Sequence, residues 1–260
     1  MALAVQSAFG GFLGLSGPVS FPAANAAGNG LIVVAYFRCA MTNPPALAVS
    51  DSQGNIYLPL ISSGVYSSGT GNRSLLAAWY VPACKAGANN VTVRETVEVS
   101  EGNYALTVGA LEYAGGFAGV DFATGGVTAT QATISLTFKV SGAGELVVLA
   151  GGSEIGIRGY AVVTLDPSTT GYTAEGVGQA TTPSGPYVFA AEAVWDQISS
   201  GGGVQTAELD FSTQPSGDCM LAAGLILAAA PSPPAPSPSP APSPSPALPP
   251  LSSGVWPTIF

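Results

Sequence analysis

A chain of 260 residues with only 8% charged side chains, six bases against fifteen acids and no histidine rules out several chemistries at once. Without histidine there is no Ser-His-Asp or Cys-His catalysis, no histidine zinc site and no histidine pH switch. The bases Arg38, Arg73, Lys85, Arg94, Lys139 and Arg158 are scattered through a net charge of −9, so no basic patch can neutralise phosphates and no nucleic-acid partner is expected.

What remains is 47% hydrophobic and rich in Gly, Ser, Thr and Ala. That mixture suits short strands joined by tight turns, with Ser and Thr on the wet faces where Lys and Glu usually stand. The composition is common among secreted, cell-surface and particle-surface β-proteins. The length allows one large β-sandwich or two small ones.

The opening Met1-Ala-Leu-Ala-Val-Gln-Ser has neither a basic stretch nor a sustained apolar run, and reads as a first strand and not as a signal peptide. Either a signal segment has already been removed, or the protein leaves its cell by another route, of which particle assembly followed by lysis is one. No run of about twenty apolar residues occurs, so no membrane span is expected. Runs of apolar or Thr-rich residues bounded by Gly, Asn, Asp, Pro or Ser predict strands at Leu3–Phe9, Pro18–Phe21, Leu31–Arg38, Ala46–Ser50, Ile56–Leu60, Leu75–Val81, Val91–Val99 and Tyr104–Tyr113. A second set is predicted at Ala129–Val140, Leu146–Gly151, Val162–Leu165, Tyr187–Val194, Ala207–Phe211 and Met220–Ala228. Val91–Val99 alternates apolar and polar, as a strand with one wet face does, whereas Leu31–Ala35 is apolar throughout and fits a central strand.

The two sets echo each other. Gly28-Asn-Gly-Leu-Ile-Val-Val-Ala aligns with Gly142-Ala-Gly-Glu-Leu-Val-Val-Leu at an offset of 114. Gly102–Leu111 aligns with Gly217–Ile226 at 115, and Leu76-Ala-Ala-Trp-Tyr with Phe189-Ala-Ala-Glu-Ala at 113. Three blocks in one order predict two β halves, about residues 1–114 and 123–230. Each half is either its own small sandwich or half of one larger sandwich with pseudo-two-fold symmetry. The short apolar link Gly115–Gly126 favours the single sandwich, since domain boundaries usually carry polar, flexible residues.

Asp51-Ser-Gln-Gly-Asn55 clusters oxygen ligands around a glycine but lacks the alternating acids and distal Glu of a calcium loop, so an Asx-stabilised turn is expected there and at Asp166-Pro-Ser-Thr-Thr-Gly. Paired carboxylates would suit glycoside cleavage, and Glu95, Glu98, Glu101, Glu112 and Glu192 lie on or near predicted strands. Glu112 follows Leu111 and Glu192 interrupts an apolar strand, so these two are the candidates for burial and a shifted pKa. Exposed strand faces carry Glu routinely, and no phosphate loop, nucleotide fingerprint or redox motif occurs. No catalytic residue, cofactor or metal ligand is expected, and the chain reads as a non-enzyme. Core packing is expected for Trp79 and Trp195, while Tyr66 and Tyr172, in predicted loops, are the candidates for a ligand-binding surface. Cys39, Cys84 and Cys219 show no CxxC spacing. Buried free thiols fit them better than a Cys39–Cys84 disulfide.

At Pro231 the composition changes. Residues 231–250 hold eleven of the twenty-two prolines, and no charged residue follows Asp218. Proline fixes φ and removes a donor, so this segment is expected to be a polyproline II stalk of about 3.1 Å per residue, roughly 60 Å in all. Residues 251–260 are apolar, with Val255, Trp256, Ile259 and Phe260 the candidates for plugging into a partner.

The block order Gly28-Asn-Gly-Leu-Ile-Val-Val-Ala, Val49-Ser-Asp-Ser-Gln-Gly-Asn-Ile-Tyr, Ala78-Trp-Tyr-Val, Asn90-Val-Thr-Val, Ala110-Leu-Glu-Tyr-Ala-Gly and Leu221-Ala-Ala-Gly-Leu-Ile-Leu resembles a poorly characterised β-sandwich module of bacterial surface proteins and phage structural proteins. The resemblance covers about residues 1–230 and leaves out the stalk. It implies a jelly-roll-like antiparallel sandwich with structural or adhesive duty and no defined catalytic residues. The resulting expectation is an all-β display protein on a virion, a decoration or fibre protein held by its tail to other structural proteins. The alternative is a secreted or cell-surface adhesion or carbohydrate-binding module with surface glycans as ligands. Homo-oligomerisation would suit a fibre.

Overall fold

The computed structural model describes residues 3–40, 46–67, 72–97, 104–128, 132–154, 163–181, 188–211 and 218–228. The stalk 231–250 and the peptide 251–260, with Val255, Trp256, Ile259 and Phe260, lie outside the described residues. Among the described residues there are sixteen strands and no helix. The first half holds β1 (Gln6–Phe12), β2 (Ser16–Ser20), β3 (Gly30–Ala40), β4 (Leu47–Asp51), β5 (Leu58–Ser67), β6 (Asn72–Val81), β7 (Asn90–Glu95) and β8 (Ala105–Tyr113). The second holds β9 (Phe117–Thr128), β10 (Thr133–Val140), β11 (Glu145–Glu154), β12 (Val163–Leu165), β13 (Thr173–Thr181), β14 (Val188–Ile198), β15 (Gly203–Phe211) and β16 (Asp218–Leu227).

The halves share one topology. The first half makes the sheets β1-β8-β3-β6-β5 and β2-β7-β4, and the second makes β9-β16-β11-β14-β13 and β10-β15-β12, the same orders moved on by eight strands. The pairings β1 with β8, β2 with β7 and β3 with β6 are nested, all antiparallel, as in a ribbon rolled upon itself. This is the jelly-roll arrangement, with β5 joining β6 in place of β4.

Sequence pattern assigns each strand to its layer. β2, β7, β10 and β15 alternate buried and wetter positions, as strands with one face toward solvent do. β8 is buried along its whole length and β16 along most of it. The reason is a four-layer stack in which the five-stranded sheets are the inner layers. Odd positions of β3 (Leu31, Val33, Ala35, Phe37) pack toward β2 and β7 within the first half. Even positions (Ile32, Val34, Tyr36) meet Leu146, Val148 and Ala150 of β11 in a seam between the halves. The second half has its own core around Leu136, Phe138, Val147, Leu149, Trp195 and Leu209. Across the seam β1 packs on β13, β8 on β14 and β5 on β9, so an approximate two-fold axis relates the halves.

Two close approaches fix this seam. Tyr36 is fully buried with its ring on the bare backbone of Gly152, where a Cβ would stand 2.1 Å from the ring. At the β1–β13 crossing a Cβ on Gly11 would fall 1.9 Å from the Gln179 carbonyl oxygen, so only glycine lets the two backbones meet.

Several expectations are corrected. The favoured single two-sheet sandwich is replaced by four sheets: each half keeps its own two-sheet core, and the compact unit Met1–Ala230 is completed by the seam. The presumed link Gly115–Gly126 is mostly β9, paired with β16; Gly115 and Gly116, at φ +84° and +70°, complete the turn and the strand starts at Phe117. β13 (TAEGVGQAT) has no counterpart among the predicted strands, because Gly176 and Gly178 weaken its strand pattern. Those glycines accommodate the Phe9 ring and the β1 backbone. β1 lies three residues later than expected, and β5 runs on to Ser67.

The repeat is genuine, but only its first block is in register. Ile32 pairs with Leu111 and Leu146 pairs with Leu225, so the true offset of β8 to β16 is 114. At 115, Leu106 of the first-half core would correspond to Leu221 of the seam, and a one-residue slip exchanges the faces. Tyr80 and Ile198 oppose the same equivalent residues, which sets β6 to β14 at 118 and not 113.

Candidate functional site

Both flagged carboxylates are buried, but a sheet separates them. Glu112 ends β8 on the face carrying Leu106, Val108 and Ala110, against the turn before β3. Its oxygens accept hydrogen bonds from Asn25 Nδ2 (2.8 Å), the Ala26 amide (2.8 Å), Asn29 Nδ2 (2.7 Å) and Gln6 Nε2. Burial alone would raise its pKa, but these donors outweigh it and hold the carboxyl below its ordinary range.

Glu192 instead projects from β14 into the seam. Oε2 accepts from the Tyr36 amide at 3.0 Å and from Thr107 Oγ1 at 3.2 Å, and Oε1 lies where a Cβ on Gly109 would stand 2.6 Å away. Complete burial pushes its pKa up to about 8 despite these bonds, so at neutral pH it is mostly protonated. Two pleat repeats further along β14, Asp196 accepts from the Tyr113 hydroxyl at 2.9 Å. Burial, with the Glu175 charge adding to it, lifts Asp196 to about 7. The acids therefore serve the joint between halves. Glu192 and Glu112, on opposite sides of the β8 sheet, do not form a carboxylate pair across a cleft. Glu95 clasps the backbone amides of Ala46, Thr96 and Val97, while Glu98 and Glu101 lie outside the described residues.

The Asp51 loop is the expected turn. Its carboxylate accepts from the amides of Gln53 (3.1 Å) and Asn55 (3.0 Å), Asn55 Nδ2 (2.7 Å), the Tyr57 hydroxyl (2.8 Å) and Asn89 Nδ2 (3.0 Å). Those donors occupy its lone pairs and tie β4 to the loop before β7. Asp166 closes a simpler turn through the Ser168 amide at 2.7 Å. Cys39, Cys84 and Cys219 are buried and unbridged, and burial pushes the Cys84 thiol up to about 11. Trp195 lies in the second-half core as expected. Trp79 is only half-buried.

Two openings stand out among the described residues. An apolar groove of about 480 Å³ runs along the β5 edge of the first half, lined by Leu47, Pro59, Leu60, Ile61, Leu75 and Trp79. A polar cleft of about 320 Å³ opens on the second half between Tyr172, Gln197, Ser200, Gln205, Thr206 and Ser168. The turn at Gly171, φ +88°, delivers Tyr172 just before β13, while Gln197 comes from the end of β14 and Gln205 and Thr206 from the start of β15. Gln197 Nε2 donates to Gln205 Oε1 at 3.1 Å, and the Thr206 and Thr137 hydroxyls share a 3.1 Å contact. The Tyr172 hydroxyl is buried with no hydrogen bond of ordinary geometry among the described residues, and burial raises its pKa.

Of the two tyrosines expected on a ligand surface, Tyr172 lines this cleft. Tyr66 lies in β5 opposite Arg73, and its side chain is outside the described residues. Gln197, Gln205 and Thr206 had no sequence motif. Their only signal is a pair of glutamines flanking the Gly201–Gly203 turn, and nothing in the sequence brings Tyr172 to them. No family model, curated protein or solved structure matches the chain, so its resemblance to surface and phage modules rests on the sequence blocks alone.

Proposed function

We propose that this chain is a non-enzymatic display protein of a virion surface, a decoration or fibre protein whose β-unit is carried on the stalk 231–250 and held to other structural proteins by the peptide 251–260. The observation that carries the reading is the back-to-back joining of two complete jelly rolls. The central inner strands β3, β8, β11 and β16 are buried on both faces along most of their length, and the outward faces are mostly Ser, Thr and Asn with Arg94, Lys139, Glu208 and Asp210 among them. Such a block suits a load-bearing or protective part. The prolines that follow are a spacer by composition. Leaving Val255, Trp256, Ile259 and Phe260 in water would forfeit about 1.5–3 kcal/mol for each large apolar side chain that a partner pocket could bury.

A second reading, a secreted or cell-surface adhesion or carbohydrate-binding module, draws on the neutral polar cleft around Tyr172. Deleting 251–260 tests the anchor. Particle incorporation is expected to fall at least tenfold while the melting temperature of the β-unit stays within about 1 °C, since residues 251–260 are no part of the compact unit Met1–Ala230. Undiminished incorporation would refute the anchor.

A further inference from the structure

We infer that the cleft formed by Tyr172, Gln197, Gln205 and Thr206 is a binding site for a neutral saccharide. Its volume of about 320 Å³ sits at the lower end of small-ligand sites, about 300–1,000 Å³, which matches a short sugar and not a long polymer groove. The lining is made of hydroxyl, amide and aromatic side chains with Ile198, without one charged group. An anion would find no base there, and a metal ion no carboxylate. A polyol fits better, because each sugar hydroxyl both donates and accepts, and side-chain amides and hydroxyls offer both functions on neighbouring atoms.

The cleft surface is mainly polar: Tyr172 packs against the second-half core, and Ile198, 40% exposed, is the one aliphatic side chain in the lining. The polar groups are held before any ligand arrives. The Gln197–Gln205 bond spans β14 and β15, which belong to different sheets, and fixes both amides. Thr169 is pinned to the β15 backbone, donating to the Glu208 carbonyl and accepting from its amide at 2.8 Å. Gly171 leaves Gln197 its position, since a Cβ there would stand 3.0 Å from Gln197 Oε1. The buried Tyr172 hydroxyl lies against the Gln197 side chain, so the tyrosine and the amide are held as one unit.

This inference deepens the carbohydrate-binding reading but rests on the cleft and not on where the protein is displayed. Binding and localisation are measured separately, so either can fail alone. The experiment uses the full chain on an array of neutral oligosaccharides ending in glucose, galactose, mannose or N-acetylglucosamine, printed beside their sulfated and sialylated counterparts, with hits titrated by calorimetry. At least one neutral glycan is expected to bind. Tyr172→Ala and Gln205→Ala should each weaken it at least tenfold, Tyr172→Phe less than Tyr172→Ala, and Ser62→Tyr, which blocks the apolar groove, not at all. Should Tyr172→Ala not fold, Gln205→Ala and side-chain amide shifts of Gln197 and Gln205 on titration with the neutral hit carry the same test. Preference for charged glycans, binding indifferent to these variants, or no binding to any arrayed glycan at millimolar concentration would overturn the inference.

Discussion

Raising the pH from 5 to 8 is expected to destabilise the β-unit, and Glu192→Gln to remove much of that loss. The cause is the seam. Glu192 has an ordinary value of 4.5 and is pushed up to about 8 when buried, and Asp196 goes from 3.8 to about 7. Between its unfolded and folded pKa each group holds its proton only in the folded state. Unfolding then releases that proton, and stability falls by about 1.4 kcal/mol per pH unit per group. The contribution is therefore complete below about pH 4 and is lost as pH rises toward the folded values. Relaxation and water entry reduce the full slope, so a fall in melting temperature of roughly 5–10 °C is expected across this window.

Glu112 and Asp51 act in the opposite sense. Their hydrogen-bonded carboxylates are held below their ordinary values, so they stabilise the fold above those values and cease to do so as acid protonates them. Together the two pairs place maximum stability near pH 5. In Glu192→Gln the amide oxygen still accepts from the Tyr36 amide and Thr107, but nothing ionises. The variant should match the native protein at pH 5 and exceed it at pH 8 by thermal melting. A native melting temperature that is flat or rises between pH 5 and 8 would mean that the seam admits water freely.

Gly11→Ala is expected to cost roughly 3 kcal/mol or more, at the upper end of overpacking effects. The added methyl meets the Gln179 backbone carbonyl, and no rotamer change can relieve a collision with backbone. β1 must lift from β13 or slide, opening the seam beside Glu192. Gly14→Ala is the control, since a Cβ at Gly14 meets nothing within 4 Å and the change should stay within about 0.5 kcal/mol. Urea denaturation compares the two, and equal midpoints would show that β1 does not cross β13 at this distance.

The same close approaches explain what the sequence discloses and what it hides. Most of the strands are legible because their apolar runs are bounded by turn residues, and Leu31–Ala35, apolar throughout, correctly reads as central. β13 is obscured for a physical reason. β13 lies against the backbone of β1 and beneath the Phe9 ring, so packing demands glycine where a strand pattern would show Val or Ile. The repeat shows the architecture but not its register, because small residues match in the wrong place: Ala77-Ala78 aligns with Ala190-Ala191 five positions away from the true register. Glu112 and Glu192 are conspicuous within apolar strands, whereas Asp196, at the wetter end of β14, gives no sign of its partner Tyr113, which is 83 residues away. Tyr172 is visible as a loop aromatic. The amides that complete its cleft come from separate sheets and meet only after folding.

The central claim, that this double jelly roll is a displayed structural part, is tested most directly by quantitative mass spectrometry of density-purified particles and of cell envelopes and medium from the same culture. The display reading predicts a fixed, stoichiometric copy number of the full chain per particle, retained through washing. Recovery from envelopes or medium, with only trace amounts in particles, would contradict it and favour the cell-surface module.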